Sequence, residues 1–215
     1  LSPQPARAFL EWMDSFWVKD IQELFSVEQY GPFRRFAELI LMDSGGMFEA
    51  TRFAAACEVS RPTVAKYLTI LEATNVATVV RPFTTRRSGE IVAAPRVYAF
   101  DTGFIVHYRG WRELRQEDLG ALWEHVVLNE VLARLDVDHL YYWRDKRGHE
   151  VDFVLAWPGS GPVAIECKWS WRGVGDLPGL VAFRRLYPQG RNFVVASDVS
   201  RPFTHTVGGL EVELV

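Results

Sequence analysis

Two carboxylates and one amine in the last third of the chain have the spacing that phosphoryl chemistry asks for. Asp152 lies in Glu150-Val-Asp-Phe, and Glu166 and Lys168 lie in Ala164-Ile-Glu-Cys-Lys. Side chains alternate across a strand, so Glu166 and Lys168 share one face while Ile165 and Cys167 share the other. Asp152 stands near the start of the preceding strand-like run. A hairpin between the two runs brings it opposite the end of the next one, gathering all three groups at one edge of a sheet. Asp152 and Glu166, with water and a phosphate oxygen, supply the hard oxygen ligands that Mg²⁺ or Mn²⁺ takes. A metal held there lowers the pKa of a bound water and neutralises charge on the phosphate, while the Lys168 ammonium orients the nucleophile or stabilises the transition state. The chemistry so described is hydrolysis of a phosphodiester.

Glu-x-Lys alone is a weak signal, expected by chance about once in a chain of this length. Its context is less common. Only 4 of the 24 basic residues are lysines, yet one closes an apolar strand. The competing reading is a partly exposed cross-strand ion pair, worth at most about 1 kcal/mol. A further carboxylate is expected from the helix before the first strand, with Glu124, just after Gly120-Ala-Leu-Trp, preferred over Glu130. Tyr141, Tyr142, Trp143, Trp169 and Trp171 flank the strand ends, where they either stack on bases or fill the core.

The elements that must position these groups follow from periodicity. An amphipathic helix is predicted from Asp118 to about Leu135, with Leu122, Val126, Val127, Val131 and Leu135 as its apolar face. Strand-like runs follow at His139–Arg144, Glu150–Ala156 and Pro162–Lys168, the last two joined by the turn-rich Trp157-Pro-Gly-Ser-Gly161. Asp176 and Pro178 open another helix to about Leu186, and Asn192–Ala196 reads as a buried strand. Residues 118–215 therefore read as an αβββαβ domain with a mixed sheet, of α+β or α/β class.

Upstream, residues 1–45 read as a helical connector, with Phe33, Phe36, Ala37 and Ile40 at helical spacing and Asp43-Ser-Gly-Gly46 as its stop. Residues 46–108 read as a winged helix-turn-helix. A helix over Ala50–Glu58 is followed by Ser60 as N-cap, Pro62 in the first turn and a second helix to about Thr74. That second helix buries Val64, Tyr67, Leu68 and Leu71. Two strand-like runs, Ala77–Pro82 and Arg96–Phe100, enclose Thr84-Thr-Arg-Arg-Ser-Gly89 as a wing. In such a layout the second helix enters the major groove and the hairpin touches the backbone. Arg61, Thr63 and Lys66 on the helix and Arg86 and Arg87 on the wing are the candidate DNA contacts. The same module is also used for protein contacts.

Composition sets the bounds. Hydrophobic residues make up 48% of 215 residues, enough for two packed domains rather than a disordered chain. Net charge is −3, but residues 52–103 carry 7 basic and 4 acidic groups, a local excess that suits phosphate contact. Apolar runs fall far short of the roughly 20 residues that cross a bilayer. Cys57 and Cys167 are far apart, with neither a disulfide framework nor a zinc spacing, and a cytoplasmic location is expected. The chain starts at Leu without a leader-like segment and reads as a piece of something longer.

The motifs Phe33-Arg-Arg-Phe, Arg61-Pro-Thr-Val-Ala-Lys-Tyr-Leu-Thr-Ile-Leu-Glu72, Pro95-Arg-Val-Tyr-Ala-Phe-Asp-Thr-Gly103, Gly120-Ala-Leu-Trp-Glu124, Trp143-Arg, Glu150-Val-Asp-Phe and Ile165-Glu-Cys-Lys168 together resemble the C-terminal half of prokaryotic AAA-type ATPases. In that group a domain of unknown function follows the ATPase. The resemblance covers about residues 10–200. It implies an upstream nucleotide-binding domain, and no GxxxxGK[ST] phosphate loop occurs in this chain, so any ATP site belongs to that upstream part. It also implies a PD-(D/E)XK nuclease-like fold, which assigns Asp152, Glu166, Lys168 and Glu124 to the site. Val151 stands where that motif has proline. DNA, the upstream ATPase domain and a protein partner are the partners implied.

Overall fold

Phe33, Phe36, Ala37, Ile40 and Leu41 form a buried stripe at helical spacing, and they define the first helix of the structure, α1 (Tyr30–Met42). The structure is a computed structural model, which describes residues 30–84, 94–135, 137–172 and 175–215, together with Arg7, Glu11, Asp14 and Ser15. The described chain forms two compact units. One takes in the residues up to Val79 and Val97–Glu113, the other Val80–Arg96 and Leu114–Val215.

In the first unit, α2 (Ala50–Cys57) buries Phe53, Ala54 and Cys57. It ends at Glu58, whose φ of 57° puts it in the left-handed region, where its N–H closes on the carbonyls of Ala54 and Ala55. After a two-residue turn, the Ser60 hydroxyl accepts the Thr63 N–H at 3.2 Å and starts α3 (Arg61–Ala73), with Pro62 in the first turn. Val64, Tyr67, Leu68 and Leu71 are buried, as the stripe requires, and Ile70 joins them. Phe33 meets Tyr67 edge-on at 4.8 Å, and Phe36 meets Phe53 at 5.6 Å, so aromatic contacts lock the three helices.

Next come β1 (Ala77–Pro82) and β2 (Arg96–Ala99). The Asp43-Ser-Gly-Gly46 turn does more than stop a helix. Gly45 N–H donates to Val97 O at 2.8 Å, Val97 N–H to Gly46 O at 3.1 Å, and Ala99 N–H to the buried Ser44 hydroxyl at 2.6 Å. A helix that periodicity leaves unassigned, α4 (Thr102–Tyr108), is capped by Asp101, whose carboxylate accepts the Gly103 N–H at 2.6 Å.

The second unit contains α5 (Gln116–Leu132), β3 (Leu140–Arg144), β4 (Glu150–Leu155), β5 (Val163–Lys168), α6 (Pro178–Leu186), β6 (Asn192–Ala196), β7 (Phe203–Val207) and β8 (Leu210–Leu214). The sheet is mixed and eight-stranded, in the order β2-β1-β3-β4-β5-β6-β8-β7. β3, β4 and β5 pair antiparallel in sequence, while β5 to β6 is a parallel crossover through α6. Trp143, Val154, Leu180, Phe183, Val194 and Leu214 anchor the core. Arg184 is buried there and its donors meet neutral acceptors: Asn192 Oδ1 at 2.5 Å, Pro162 O at 2.9 Å and Arg191 O at 2.6 Å, with Tyr187 O and Gln189 O besides. Desolvation pushes its guanidinium down to about 10.

Two expectations need correction. The order αβββαβ is extended by the β7–β8 hairpin, which β7 hides because it is an edge strand exposed along Phe203–Thr206 and so carries no hydrophobic alternation. Gly208 and Gly209, both at positive φ, make the tight turn between the two strands. The apolar face of α5 also differs. Val126 is 42% exposed and the helix stops before Leu135, whereas Asp118, His125, Val127 and Leu128 are buried. Residues 121–128 are apolar nearly all round, so periodicity does not select a face. The buried polar pair resolves it: Asp118 accepts the Arg115 N–H at 3.0 Å, and His125 Nδ1 bonds Ala121 O at 2.7 Å.

Gly179, in the first turn of α6, lies so close to β4 that a Cβ there would overlap the Glu150 carbonyl oxygen. Gly179→Ala is expected to lower the unfolding free energy by about 1–3 kcal/mol, read from urea denaturation. Gly120→Ala, in α5 with open space around it, serves as the control and is expected to stabilise by up to about 1 kcal/mol.

Candidate functional site

Strands β4 and β5 pair Phe153 with Ile165, Val154 with Ala164 and Leu155 with Val163. One more step of this antiparallel register sets Asp152 opposite Glu166. Asp152 Oδ2 accepts the Cys167 N–H at 2.7 Å, so the carboxylate takes up a backbone donor of the neighbouring strand. Lys168 Nζ donates to Glu166 Oε1 at 2.8 Å, across the i,i+2 spacing of a single strand face. Glu166 is 13% exposed and its Oε2 is buried without a hydrogen-bond partner.

Burial and charge crowding dominate the electrostatics. Burial raises the Asp152 carboxyl well above the usual carboxylate range, and the charge of Glu124 adds to it against the Cys167 N–H, Arg96 and Lys168. Burial likewise lifts Glu166, up to about 7, with Asp152 repelling it and Lys168 pulling the other way. Burial works against the charge on Lys168, yet attraction to Glu166 and its hydrogen bond hold the amine above its ordinary value.

Glu124, on α5, is near enough to act on Asp152 and accepts from Arg96 Nη1 at 3.0 Å. Arg96 also pairs with Glu150, and its guanidinium lies 5.4 Å from the Tyr142 ring centre. Arg144 reaches Glu150 at 3.6 Å. Spacing alone does not single out Arg96. The signal available for it was an arginine inside the apolar run Arg96-Val-Tyr-Ala, which must find a partner when buried. Glu130 is exposed and pairs with Arg134, away from this group.

Two close, half-buried carboxylates, one with a buried oxygen lacking any donor, form a group in which added positive charge relieves repulsion. Among the described residues, no group of three or more His, Cys, Asp or Glu side chains is placed to hold a metal by itself. Mg²⁺ keeps several waters and takes only one or two protein carboxylates beside a substrate phosphate, and two is the number that Asp152 and Glu166 offer.

On α3, Arg61 and Lys66 are exposed, whereas Thr63 is half-buried with its hydroxyl 2.7 Å from that of Ser60. Arg86 and Arg87 lie outside the described residues. Of the flanking aromatics, Tyr142 and Trp143 are core residues, Tyr141 and Trp171 are half-buried and Trp169 is 37% exposed. Trp169 meets Trp123 edge-on at 6.1 Å, and Trp123 donates to Val195 O at 2.9 Å.

Residues 4–115 match the family model described as Domain of unknown function (DUF8612), and since that is more than half of the chain, the protein belongs to this family. Residues 119–208 match a second model, Domain of unknown function (DUF4143). The chain is 26% identical over 161 residues to the uncharacterized proteins Rv2008c of Mycobacterium tuberculosis and Mb2031c of Mycobacterium bovis, a match that covers 73% of this chain and 36% of each relative. It thus spans about a third of the length of the curated relatives it matches. Among solved structures it is similar to a chain of the half-complex from the tetradecameric assembly of Thermococcus gammatolerans McrB AAA+ hexamers with bound McrC, at 10% identity and a TM-score of 0.35, covering 94% of this chain and 52% of that one. It is also similar to human N-acetylserotonin methyltransferase in complex with SAM, at 14% identity and a TM-score of 0.22, covering 90% and 59%. Likenesses this loose carry no argument. No helix among the described residues is long and apolar enough to cross a membrane.

Because Asp152 and Glu166 hold protons in the folded state at pH values where the unfolded chain has released them, their contribution to stability is full below about 4 and is lost as pH rises through about 7. The melting temperature in EDTA is therefore expected to fall over that window, and to fall less in Asp152→Asn. Mn²⁺ added above pH 7 should raise it in the wild type and not in the variant. Parallel pH profiles for the two proteins count against the coupled pair.

Proposed function

We propose that this chain is the C-terminal part of an AAA-type ATPase and carries a Mg²⁺-dependent phosphodiesterase site of the PD-(D/E)XK nuclease kind, brought to DNA by a winged helix-turn-helix. The observation that carries the reading is the half-buried Asp152–Glu166 pair with Lys168 bonded to Glu166 and the buried Glu166 Oε2 left without a donor. Support for the ATPase context comes from the match of residues 119–208 to DUF4143, which is associated with the C-terminal regions of AAA ATPases. The helix, turn, helix and two strands over Ala50–Ala99, with Arg61 and Lys66 exposed on the second helix, support the DNA-contact reading.

Asp152 and Glu166 would hold the divalent ion, which when bound supplies a Lewis acid at the phosphate and a more acidic water. Lys168, a cation at the pH of the cell, holds Glu166 in place through its hydrogen bond and offers its remaining N–H donors to a non-bridging phosphate oxygen or to the attacking water. Glu124, steadied by Arg96, adds negative charge beside Asp152 and so favours retention of a cation. Cys167 keeps one Asp152 oxygen directed along the strand edge by its backbone N–H.

A second reading has one observation in its favour: the Glu124 carboxylate is engaged by Arg96. In that reading the same fold is a non-catalytic region that binds DNA or a partner protein and regulates the ATPase.

With Mg²⁺ or Mn²⁺, the intact protein is expected to nick or cut DNA. Lys168→Ala should lower the rate by about 10²–10³-fold, and Asp152→Ala should abolish it with the circular dichroism spectrum unchanged. Linear, branched and single-stranded DNA all left intact, together with normal cellular function of Asp152→Ala, would select the regulatory reading.

A further inference from the structure

Beyond Lys168 the chain does not simply leave the sheet. β5 and β6 run parallel, with Lys168 beside Ala196, so the segments that follow both strands emerge at the same end as Glu166 and Lys168. Ligands of open α/β sheets gather outside the carboxyl ends of parallel strands. Here Asp198 ties the two segments together: its carboxylate accepts the Ser170 hydroxyl at 2.6 Å and the Trp171 N–H at 2.8 Å, and lies 3.9 Å from Arg172. The Ser197 hydroxyl adds a bond to Trp169 O. These bonds fix the walls of a cavity of about 300 Å³, lined in part by Trp171, Arg172, Asp198, Arg201 and Phe203.

The lining has a specific chemistry. Phe203 is 45% exposed and Trp171 is half-buried, with its ring 5.5 Å from that of His205, leaving aromatic surface uncovered. Arg172 and Arg201 are exposed cations at the rim. The one acidic group, Asp198, has its oxygens committed to the segments it joins. Aromatic faces beside guanidinium groups suit an unpaired base and its phosphate. A paired base in a duplex has both faces covered and does not fit a cavity of this size. Trp171 follows Lys168 by three residues, at most roughly 10 Å of extended chain, so a strand seated in the cavity keeps a neighbouring phosphodiester within reach of Lys168.

We propose that the cavity walled by Trp171, Arg172, Arg201 and Phe203 binds an unpaired nucleotide of the strand whose phosphodiester is presented to Glu166 and Lys168. The inference rests on the phosphodiester reading of the neighbouring site and narrows its substrate to nucleic acid that is single-stranded at that point.

The test uses the intact protein in EDTA, so that nothing is cut, and a fluorescent thymidine oligonucleotide of about 12 nucleotides, within the site sizes of single-strand binding modules. Trp171→Ala and Arg201→Ala are each expected to weaken binding by about tenfold. Trp171→Phe and Arg201→Lys should retain most of the affinity, which a merely structural loss would not allow. An oligonucleotide carrying 5-iodouracil should photocrosslink to the peptides containing Trp171 or Phe203. Wild-type protein that does not bind the single strand, alanine variants that bind it unchanged, or crosslinks confined to other segments overturn the proposal. Mn²⁺ binding to the wild-type protein is measured separately. Its absence removes the metal-site reading while the oligonucleotide result still decides the nucleotide subsite.

Discussion

The antiparallel register of β4 and β5 is the constraint on which the site depends. It sets Asp152 against Glu166, and the hydrogen bond from Cys167 N–H to Asp152 holds one carboxylate along the strand edge. Two acidic groups so placed repel one another and are poorly hydrated, and the surrounding cations answer that strain only in part. Lys168 compensates Glu166 directly, whereas Arg96 divides itself between Glu124 and Glu150. A slip of one residue would turn Glu166 and Lys168 to the opposite face and leave Cys167 and Ile165 in their place.

The rest of the second unit keeps that register from slipping. Gly179 lets α6 approach the start of β4 closer than any side chain permits. Arg184, one turn further along the same helix, gathers the carbonyls of Pro162 and Arg191, residues just before β5 and β6. Its donors are met by neutral oxygens, and because the guanidinium is buried, each lost bond leaves a desolvated donor without a partner. The first unit rests on different forces. There Phe33, Phe36, Phe53 and Tyr67 interlock three short helices, and local caps such as Ser60 and Glu58 define where each begins and ends.

Elements with a strong local cause were legible in the sequence. The stripe on α3, the Ser60 cap, the strands β3 to β6 and the helix opened by Pro178 all carry their own periodicity or punctuation. What was not legible had a distant cause. The face of α5 depends on Asp118 and His125 finding hydrogen bonds when buried, since apolar residues nearly surround the helix. β7 is exposed along most of its length, and only its pairing with β8 makes it a strand. The part played by Arg96 depends on Glu124 and Glu150, which follow it by 28 and 54 residues.

The sequence by itself determined the types of group available, Asp152, Glu166 and Lys168, and through strand alternation which of the last two share a face. It also determined the helix-turn-helix order of the first unit, because caps and stripes are local properties. Only the tertiary structure decided the protonation behaviour of the carboxylates, the pairing of Glu124 with Arg96 and the cavity between the segments after β5 and β6. Those features arise from desolvation and from contacts between residues far apart in the chain, and neither is encoded in any one stretch of it.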